Sequence, residues 1–248
     1  MSREKQRNKE LSFANAEGRL SLFLDNRTPK ELLLAIAALG VKPIMLPLYR
    51  LLPKPVSAHP DMLLYDLGGK LLVYQDYYTE NEKLFVGMPV VVTNYSAENR
   101  YPGDIGMDAL SVGKFLFCLP QYTCPEILAG RTVVPVKQGY AACSALKVSE
   151  DAIVTSDSSI ALAAEKKGIA VLRIRPGFIE LPGYDYGFIG GTAFCLGDTL
   201  YFAGDLSMHP DGDAIADFCK NRGVTAKSLL VGKKLMDLGF LKYNEKAM

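Results

Sequence analysis

The chain has 248 residues, of which 49% are hydrophobic and 22% are charged, and its formal net charge is +1. A chain of this size and composition can bury a sizeable core, and its balanced charge excludes the strongly basic surface typical of nucleic-acid-binding domains. Its longest apolar run, residues 32–39, is far too short to span a bilayer about 30 Å thick. We therefore expect neither a nucleic acid nor a membrane as a partner.

The cysteines indicate a reducing compartment. The chain has five cysteines and two histidines, and no two cysteines form a CxxC pair. An odd number of thiols argues against a disulfide framework, and so few potential ligands argue against a transition-metal site. The N-terminal residues lack the apolar segment of a secretory signal. We expect a cytoplasmic protein without metal or cofactor, with residues 1–17 as a flexible arm and residues 18–248 as a single domain.

The first predicted elements form a βαβ crossover. A strand over residues 20–24 ends at Asp25, and residues 28–31 (TPKE) have the pattern of a capping box with Pro29 at the first helical position. The helix continues to Gly40, and a short strand follows at residues 44–46. Because a helix connects them, the two strands are expected to be parallel.

Four hairpins follow, each built from two short apolar runs separated by Gly or Asp, which is the usual hairpin pattern. The paired runs are residues 63–67 and 71–74, 109–112 and 115–119, 145–148 and 153–155, and 193–196 and 200–203. Each hairpin precedes a helical or looping segment and a further strand. These closing strands are predicted at residues 90–93, 133–136, 170–174 and 228–231. The two clearest helices are residues 158–167, capped by Asp157, and residues 213–221, capped by Asp213.

The hairpins form an internal repeat. The positions that end the equivalent strands (25, 76, 120, 157 and 205) are separated by 51, 44, 37 and 48 residues. A period of this length indicates a closed array of ββαβ units. The first unit lacks its leading strand, which residues 235–241 at the C-terminus could supply to close the ring. The alternative is an ordinary mixed α/β sandwich, in which the hairpins look alike only because hairpins in any fold share this sequence pattern.

Five ββαβ units closed by the C-terminal strand resemble the pentein fold, the α/β propeller of guanidino-group-modifying enzymes such as arginine deiminases and amidinotransferases. The resemblance covers about residues 20–243 and implies pseudo-fivefold symmetry. Residues 137–144 (KQGYAACS), and residues 175–178 (RPGF) through Gly190-Gly191, also resemble an uncharacterised bacterial family of this type. That second resemblance implies no known activity.

The resemblance to penteins implies a catalytic set. Their histidine often lies in an HxD motif before a strand, and His59-Pro60-Asp61 matches that motif. Their nucleophilic cysteine lies two units after the histidine, where this chain has Cys143. The family's cysteine unit is normally the last, whereas here another unit follows. Cys195, after Gly190-Gly191, is therefore a rival nucleophile, although its position inside a strand is typical of core packing.

Candidate ligand-binding residues come from the openings of the units. Eight residues before the ends of the leading strands lie His59, Asp104, Tyr140 and Phe188, and Asp108 is close in sequence. If the units form a ring, these side chains line a common mouth, the usual place for a small ligand. The long segment 173–187 is rich in glycine, proline and aromatic residues and contributes Asp185. Its tyrosines could cover a ligand or pack over the rim.

Two other groups of polar residues could bind a ligand. Asp205, His209, Asp211 and Asp213 have a spacing that could hold a hard cation, but the simpler interpretation is a strand end, a turn and a helix cap. Arg173 and Arg175 could pair with a ligand carboxylate or remain solvated. No metal site is predicted.

Two functions remain open from the sequence. In the first, Cys143 attacks the carbon of a small guanidino or amidine compound, His59 acts as general acid and base, and carboxylates hold the planar cation. A neighbouring protonated His59 would lower the pKa of the thiol. In the second, the protein is a non-catalytic propeller that binds a small metabolite or another protein at the same mouth. Neither the substrate nor the oligomeric state follows from the sequence.

Overall fold

The computed structural model describes residues 21–241, so the predicted arm at residues 1–17 lies outside the described residues. The first unit consists of β1 (Ser21–Asp25), α1 (Lys30–Ala37) and β2 (Lys42–Leu46), and the two strands pair in parallel as predicted. The prediction of a capping box is wrong. Pro29 occupies the N-cap position without a side-chain bond, and the hydroxyl of Thr28 instead donates to the carbonyl oxygen of Asp25 at 2.6 Å.

The four predicted hairpins are confirmed, each as the first two strands of a three-stranded sheet. In every sheet the hairpin is antiparallel and the third strand pairs in parallel with the second. The first three sheets comprise β3 (Leu64–Asp66), β4 (Leu71–Tyr74) and β5 (Val90–Thr93); β6 (Leu110–Val112), β7 (Phe115–Cys118) and β8 (Thr132–Pro135); and β9 (Ala145–Ser149), β10 (Ala152–Thr155) and β11 (Ala170–Arg173). After the short strand β12 (Ile179–Glu180), the fourth comprises β13 (Ala193–Leu196), β14 (Thr199–Phe202) and β15 (Thr225–Ser228), the last beginning three residues earlier than predicted.

The remaining helices are short, and most precede or connect the strands. They are α2 (Pro60–Leu63), α3 (Gln75–Asn81), α4 (Pro125–Leu128), α5 (Ala141–Ser144), α6 (Ser158–Glu165) and α7 (Gly212–Lys220). Asp157 caps α6 as predicted, because its carboxylate accepts the N–H of Ile160 at 2.8 Å. Asp213 does not cap α7, since that helix begins one residue earlier, with Asp211 at the N-cap position. Within residues 21–241, no helix is long and apolar enough to cross a membrane.

The C-terminal strand does not complete the first unit as predicted. Residues Leu235–Met236 form β16, which pairs in parallel with β12, and the β1–β2 sheet has two strands. The C-terminal segment instead reaches the first unit through side chains, because Phe240 packs in one cluster with Leu22 and Leu24 and lies 5.0 Å from the ring of Phe194. An apolar run in the sequence does not specify which strand it will pair with.

Hydrophobic clusters join neighbouring units. Phe23 of β1, Leu72 of β4 and Leu116 of β7 belong to the largest cluster. A second cluster joins Phe117 of β7 to Ile153 of β10, and a third joins Val154 of β10 to Phe202 of β14. The fourth contains Leu22 and Phe194 and thus joins the last three-stranded sheet to the first unit. Each unit therefore shares apolar core with the next, and the last unit shares core with the first.

Gly190 allows the chain to pass directly over helix α5. A Cβ atom at this position would lie 2.1 Å from the carbonyl oxygen of Ala142 and 2.4 Å from that of Cys143. Both neighbours are backbone atoms, which cannot move aside without displacing the helix. The segment Ile189–Thr192 is therefore packed against α5 at a distance that only glycine permits.

We predict that Gly190→Ala lowers the free energy of unfolding by about 3 kcal/mol, the upper end of the range for overpacked cores, because backbone must shift. Gly168→Ala is the matched control: its Cβ would meet nothing within 4 Å, and its φ of +77° adds only left-handed strain, about 1 kcal/mol. Urea denaturation of both variants provides the comparison. A loss at position 190 no larger than that at position 168 would contradict the close packing.

Candidate functional site

Cys143 lies in helix α5, immediately before strand β9, and is 3% exposed. Its thiol donates a hydrogen bond to Oδ2 of Asp61 at 3.2 Å. Asp108 bonds to the backbone of this helix. Its Oδ1 accepts the N–H of Ala142 at 2.5 Å and, more weakly, that of Cys143 at 3.4 Å. The cysteine is therefore fixed between two carboxylates contributed by two other units.

These three residues form a compact group of polar atoms. One side-chain atom from each of Asp61, Asp108 and Cys143 lies within 4.8 Å of the others, and all three residues are buried. A thiolate and two carboxylates are donors that could hold a divalent cation such as Zn²⁺. The same arrangement suits an organic cation that donates several N–H bonds.

His59 lies at the N-terminus of α2, with a side chain only 2% exposed, between two further buried acids. Its Nε2 is 3.8 Å from Oδ2 of Asp25, and its Nδ1 is 3.9 Å from Oδ1 of Asp237. Asp237 also accepts the N–H groups of Phe188 at 2.9 Å and Gly239 at 3.1 Å. The imidazole therefore lies close to carboxylates from the first unit and from the C-terminal segment.

Gly239 brings that segment onto the HxD motif. Its φ is +61°, and an added Cβ would lie 2.4 Å from Cβ of His59 and 2.5 Å from Oδ1 of Asp61. Its carbonyl oxygen accepts the N–H of Asp61 at 2.9 Å. The C-terminal segment thus contributes to the site by backbone contact, although it does not close the first sheet.

Burial, followed by the negative charges of Asp108, Asp61 and Asp237, raises the pKa of the Cys143 thiol well above its usual range. The lowered thiol pKa expected from the sequence is therefore not found, since burial and the acids outweigh any effect of His59. Burial also raises the pKa of Asp237, although His59 opposes that shift. The electrostatic field at the thiol is negative and favours its neutral form.

A cavity of about 240 Å³ opens beside Cys143. Its lining includes two of the predicted ligand residues, Tyr140 and Asp185, together with the acid Asp237. The full lining is Val56, Tyr140, Cys143, Leu181, Tyr184, Asp185, Tyr186, Phe188 and Asp237. Tyr184 and Tyr186 are 46% and 41% exposed, so the predicted cover segment lies at the mouth of this cavity.

Asp104 bonds to Tyr140, a residue of the cavity wall. Its Oδ2 accepts the hydroxyl hydrogen of Tyr140 at 2.5 Å. Burial raises the pKa of Asp104, and the bond from Tyr140 opposes that shift. Burial and Asp104 together raise the pKa of Tyr140. Asp104 is therefore a support for Tyr140 and is not among the residues that line the cavity.

The structure thus brings Cys143, Asp61 and Asp108 together and places Tyr140 and Asp185 on the cavity beside them. Three residues of the site were missed from the sequence: Asp25, Arg27 and Asp237. Arg27 donates from Nε to Oδ1 of Asp25 at 2.8 Å and from Nη2 to Oδ2 at 2.5 Å, and its guanidinium also bonds to the carbonyl oxygens of Lys54 and Pro55. Asp25 ends a strand, which was the available signal, but similar acids end other strands without reaching the site.

The rival cysteine lies elsewhere. The thiol of Cys195 is half-buried in β13 and donates to the carbonyl oxygen of Gly197 at 3.3 Å. Cys195 does not line the cavity beside Cys143.

The second polar cluster bonds within the protein, although Asp213 is not the helix cap that the simpler interpretation expected. Asp205 accepts the N–H groups of Ser207 and Gly232, and Asp211 forms paired bonds with Arg175. Arg173 pairs with Glu165. Among the described residues, the only group of three or more potential metal ligands is Asp61, Asp108 and Cys143.

Several solved structures share this fold. The chain matches DDAH from Pseudomonas aeruginosa in complex with citrulline, with a TM-score of 0.53 and 10% identity over 86% of this chain and 92% of that one. The agmatine deiminase of C. jejuni matches with a TM-score of 0.53 and 10% identity over 86% and 87%. An amidinotransferase of saxitoxin biosynthesis from Microseira wollei matches with 0.52 and 8% over 88% and 79%. The predicted resemblance to the pentein fold is confirmed, and at such identities it concerns the fold alone.

Sequence comparison gives no activity. The model of a family of unknown function (DUF6873) matches residues 23–241. No curated protein matches the sequence.

We predict that Cys143 is alkylated by iodoacetamide with a pH midpoint above about 8.5, the value of an ordinary thiol, because burial and three carboxylates favour its protonated form. Asp61→Asn removes one of those charges and should move the midpoint to lower pH. Mass spectrometry of peptides from the native protein measures both values.

Asp213→Asn, at an exposed position on α7, is the control and should leave the midpoint unchanged. A midpoint below that of an ordinary thiol in the wild type, or an equal shift in the control, would show that these acids do not set the ionisation of Cys143.

Proposed function

Because the chain belongs to the family of unknown function DUF6873, whose description assigns no activity, we propose its function from the site: Cys143 is the nucleophile of an enzyme that acts on a small guanidino or amidine compound. The observation that carries this proposal is the buried group of Asp61, Asp108 and Cys143, whose polar atoms lie within 4.8 Å of one another. A nucleophile between two carboxylates suits a cationic substrate, because the carboxylates attract a cation and repel an anion.

The field at the thiol favours such a ligand. Asp108, Asp61 and Asp237 all act on Cys143 with negative charge at a site almost inaccessible to water. A planar cation with several N–H donors would offset this negative charge at a site with little water to screen it. A guanidinium matches carboxylates through paired hydrogen bonds. Asp61 and Asp108 are the residues placed to hold it beside the sulfur.

Binding of a cation also prepares the nucleophile. The same carboxylates that raise the pKa of Cys143 would be neutralised by the ligand, and the pKa of the thiol would then fall. The protein would thus form the reactive thiolate only when substrate is present. Asp61, which already accepts the thiol hydrogen, is the proposed acceptor of that proton, and Asp108 then keeps its charge opposite the cation.

The proposed reaction has two steps. The sulfur of Cys143 forms a bond to the guanidinium carbon, and the bond from that carbon to the leaving nitrogen breaks as the nitrogen takes up a proton and departs as ammonia or an amine. Water, or a second amine, then attacks the same carbon and the carbon–sulfur bond breaks. The first outcome is hydrolysis and the second is amidino transfer. No oxidant or reductant is required.

His59 is the proposed general acid and base. Its imidazole lies within 4 Å of Asp25 and Asp237, and carboxylates next to an imidazole stabilise its protonated form. Asp237 also lines the cavity that contains Cys143. His59 is thus 3.9 Å from an acid of the cavity wall, and we propose that it exchanges a proton with the leaving group.

We propose that the five units surround this site as a propeller, with the ligand in a central channel. Support comes from the hydrophobic clusters, which join each unit to the next and the last sheet to the first unit. The site residues also come from several units: Asp25 ends β1, Asp61 precedes β3, Asp108 precedes β6 and Cys143 precedes β9. The neighbours in the structural comparison include proteins named as an agmatine deiminase and an amidinotransferase, whose names denote guanidino chemistry.

A cytoplasmic location fits this proposal. All five cysteines are free thiols, as expected in a reducing compartment.

The second candidate is a binding protein without turnover. It is favoured by the raised pKa of Cys143, because a protonated, buried thiol is a poor nucleophile. The two candidates share the cationic ligand and differ in whether Cys143 forms a covalent bond.

We predict that Cys143→Ser reduces turnover of guanidino compounds at least about a thousandfold while the protein remains folded, because the hydroxyl is a far weaker nucleophile than the thiolate. Agmatine, arginine and butylguanidine are the substrates to compare, with products quantified by mass spectrometry and folding checked by thermal denaturation. Cys195→Ser, the matched control, should retain the wild-type rate.

Turnover that survives in Cys143→Ser would remove this residue from the mechanism. Binding of these compounds by the wild type without any product would instead favour the non-catalytic candidate.

A further inference from the structure

The walls of the cavity are mainly aromatic and apolar. Tyr140 lies 6.4 Å from Phe188, ring centre to ring centre, and Phe188 lies 6.2 Å from Tyr186 in an edge-on arrangement. Val56 and Leu181 complete this surface. Aromatic rings in such a row offer faces and edges to a flat or aliphatic group. The part of a ligand that extends from Cys143 towards the mouth therefore passes along these side chains.

The charged residues that line the cavity are all acidic. Among the nine residues that line the cavity, all within the described part of the chain, none is Lys or Arg, whereas Asp185 and Asp237 are acids. Asp185 is exposed at the mouth, next to Tyr184 and Tyr186. A ligand carboxylate in this cavity would meet carboxylates and rings and would gain no bidentate cationic partner.

Two cations whose partners adjoin the cavity or its neighbouring groove are engaged elsewhere. Arg27 pairs with Asp25 through two bonds and with the carbonyl oxygens of the 54–55 turn. Lys234 lines the adjacent groove with Asp185, but its Nζ lies 3.8 Å from Oε1 of Glu180. Neither side chain lines the cavity itself. Recruitment of either one to a ligand carboxylate would cost an existing ion pair.

The cavity is small. Its volume of about 240 Å³ is below the usual range of drug-sized pockets. This size suits a guanidinium with a short chain or a single ring.

Resting on the proposed function, we infer that the substrate of this site is a small guanidino compound whose non-reacting part is apolar or aromatic and carries no carboxylate. The inference follows from the aromatic and apolar wall formed by Tyr140, Tyr186 and Phe188, together with the acidic side chain of Asp185 at the mouth. The free amino-acid form of a guanidino compound is accordingly excluded as the preferred ligand.

The test compares two ligands of nearly equal size. Butylguanidine and γ-guanidinobutyrate differ in that the chain ends in a methyl group in one and in a carboxylate in the other. Calorimetric titration of the Cys143→Ser variant measures binding without consuming the ligand. Butylguanidine is expected to bind at least about tenfold more tightly, a difference of about 1.4 kcal/mol. Benzylguanidine is expected to bind more tightly still, because its ring can stack on the aromatic wall.

Three further variants locate the effect. Tyr186→Leu should reduce the affinity for benzylguanidine by about two- to tenfold and affect butylguanidine less. Phe178→Leu, which removes an exposed ring of the same segment outside this cavity, should change neither affinity. Asp185→Lys should narrow the difference between butylguanidine and γ-guanidinobutyrate by about fivefold, since it replaces an anion at the mouth with a cation.

The outcomes separate this inference from the proposed function. Equal or tighter binding of γ-guanidinobutyrate would overturn the substrate class while leaving a guanidino site in place. An equal effect of the substitutions at positions 186 and 178 would show that the aromatic wall does not contact the ligand. If no guanidino compound binds, the proposed function fails and the substrate class fails with it.

Discussion

The structure depends on keeping five acidic side chains out of water. Asp25, Asp61, Asp104, Asp108 and Asp237 are each at most 2% exposed, and a buried carboxylate without compensation costs several kcal/mol. The compensation comes from different parts of the chain: amide hydrogens of α5 for Asp108, amides of Phe188 and Gly239 for Asp237, a tyrosine hydroxyl for Asp104 and a guanidinium for Asp25. Asp104, Asp108 and Asp237 thereby each tie one segment to another that is distant in sequence. Charges at the candidate site are therefore also contacts that hold the units together.

The repeat could be predicted because hairpins are encoded locally. Short apolar runs with Gly or Asp between them predict the four hairpins correctly. Asp157 is also predicted correctly as a helix cap, because its carboxylate can accept a free N–H of the first turn. Non-local pairing is not encoded in this way. The apolar run at residues 235–241 could join any exposed sheet edge, and it pairs with β12, while Phe240 packs against the first unit. Thr28 fails as a cap because Pro29 occupies the N-cap position and the hydroxyl bonds to Asp25 instead.

The site was partly predictable because equivalent positions in a repeat converge. Counting back from the strand ends selects Asp104, Tyr140 and Phe188; the first two share a hydrogen bond, and the rings of the last two are neighbours. This count cannot predict which other residues surround each selected position. It selects no position near the C-terminus, so Asp237 was missed, and it gives no sign that Arg27 folds back onto Asp25. The raised pKa of Cys143 cannot be predicted from the sequence for the same reason, since a histidine in the motif is visible there but the three acids around the thiol are assembled only by the fold.

The negative field at Cys143 links recognition to reactivity. An enzyme that lowered its thiol pKa with a permanent cation would expose a thiolate at all times and would repel a cationic substrate from the same position. Here the acids do the reverse, because they favour the protonated thiol. In the proposed mechanism the ligand supplies the positive charge, so that selectivity against anions, protection of the sulfur and its activation follow from one arrangement of charge. Arg27 fits this scheme because its guanidinium pairs with Asp25, which is 3.8 Å from Nε2 of His59, and not with the acids that bond to the cysteine and its helix.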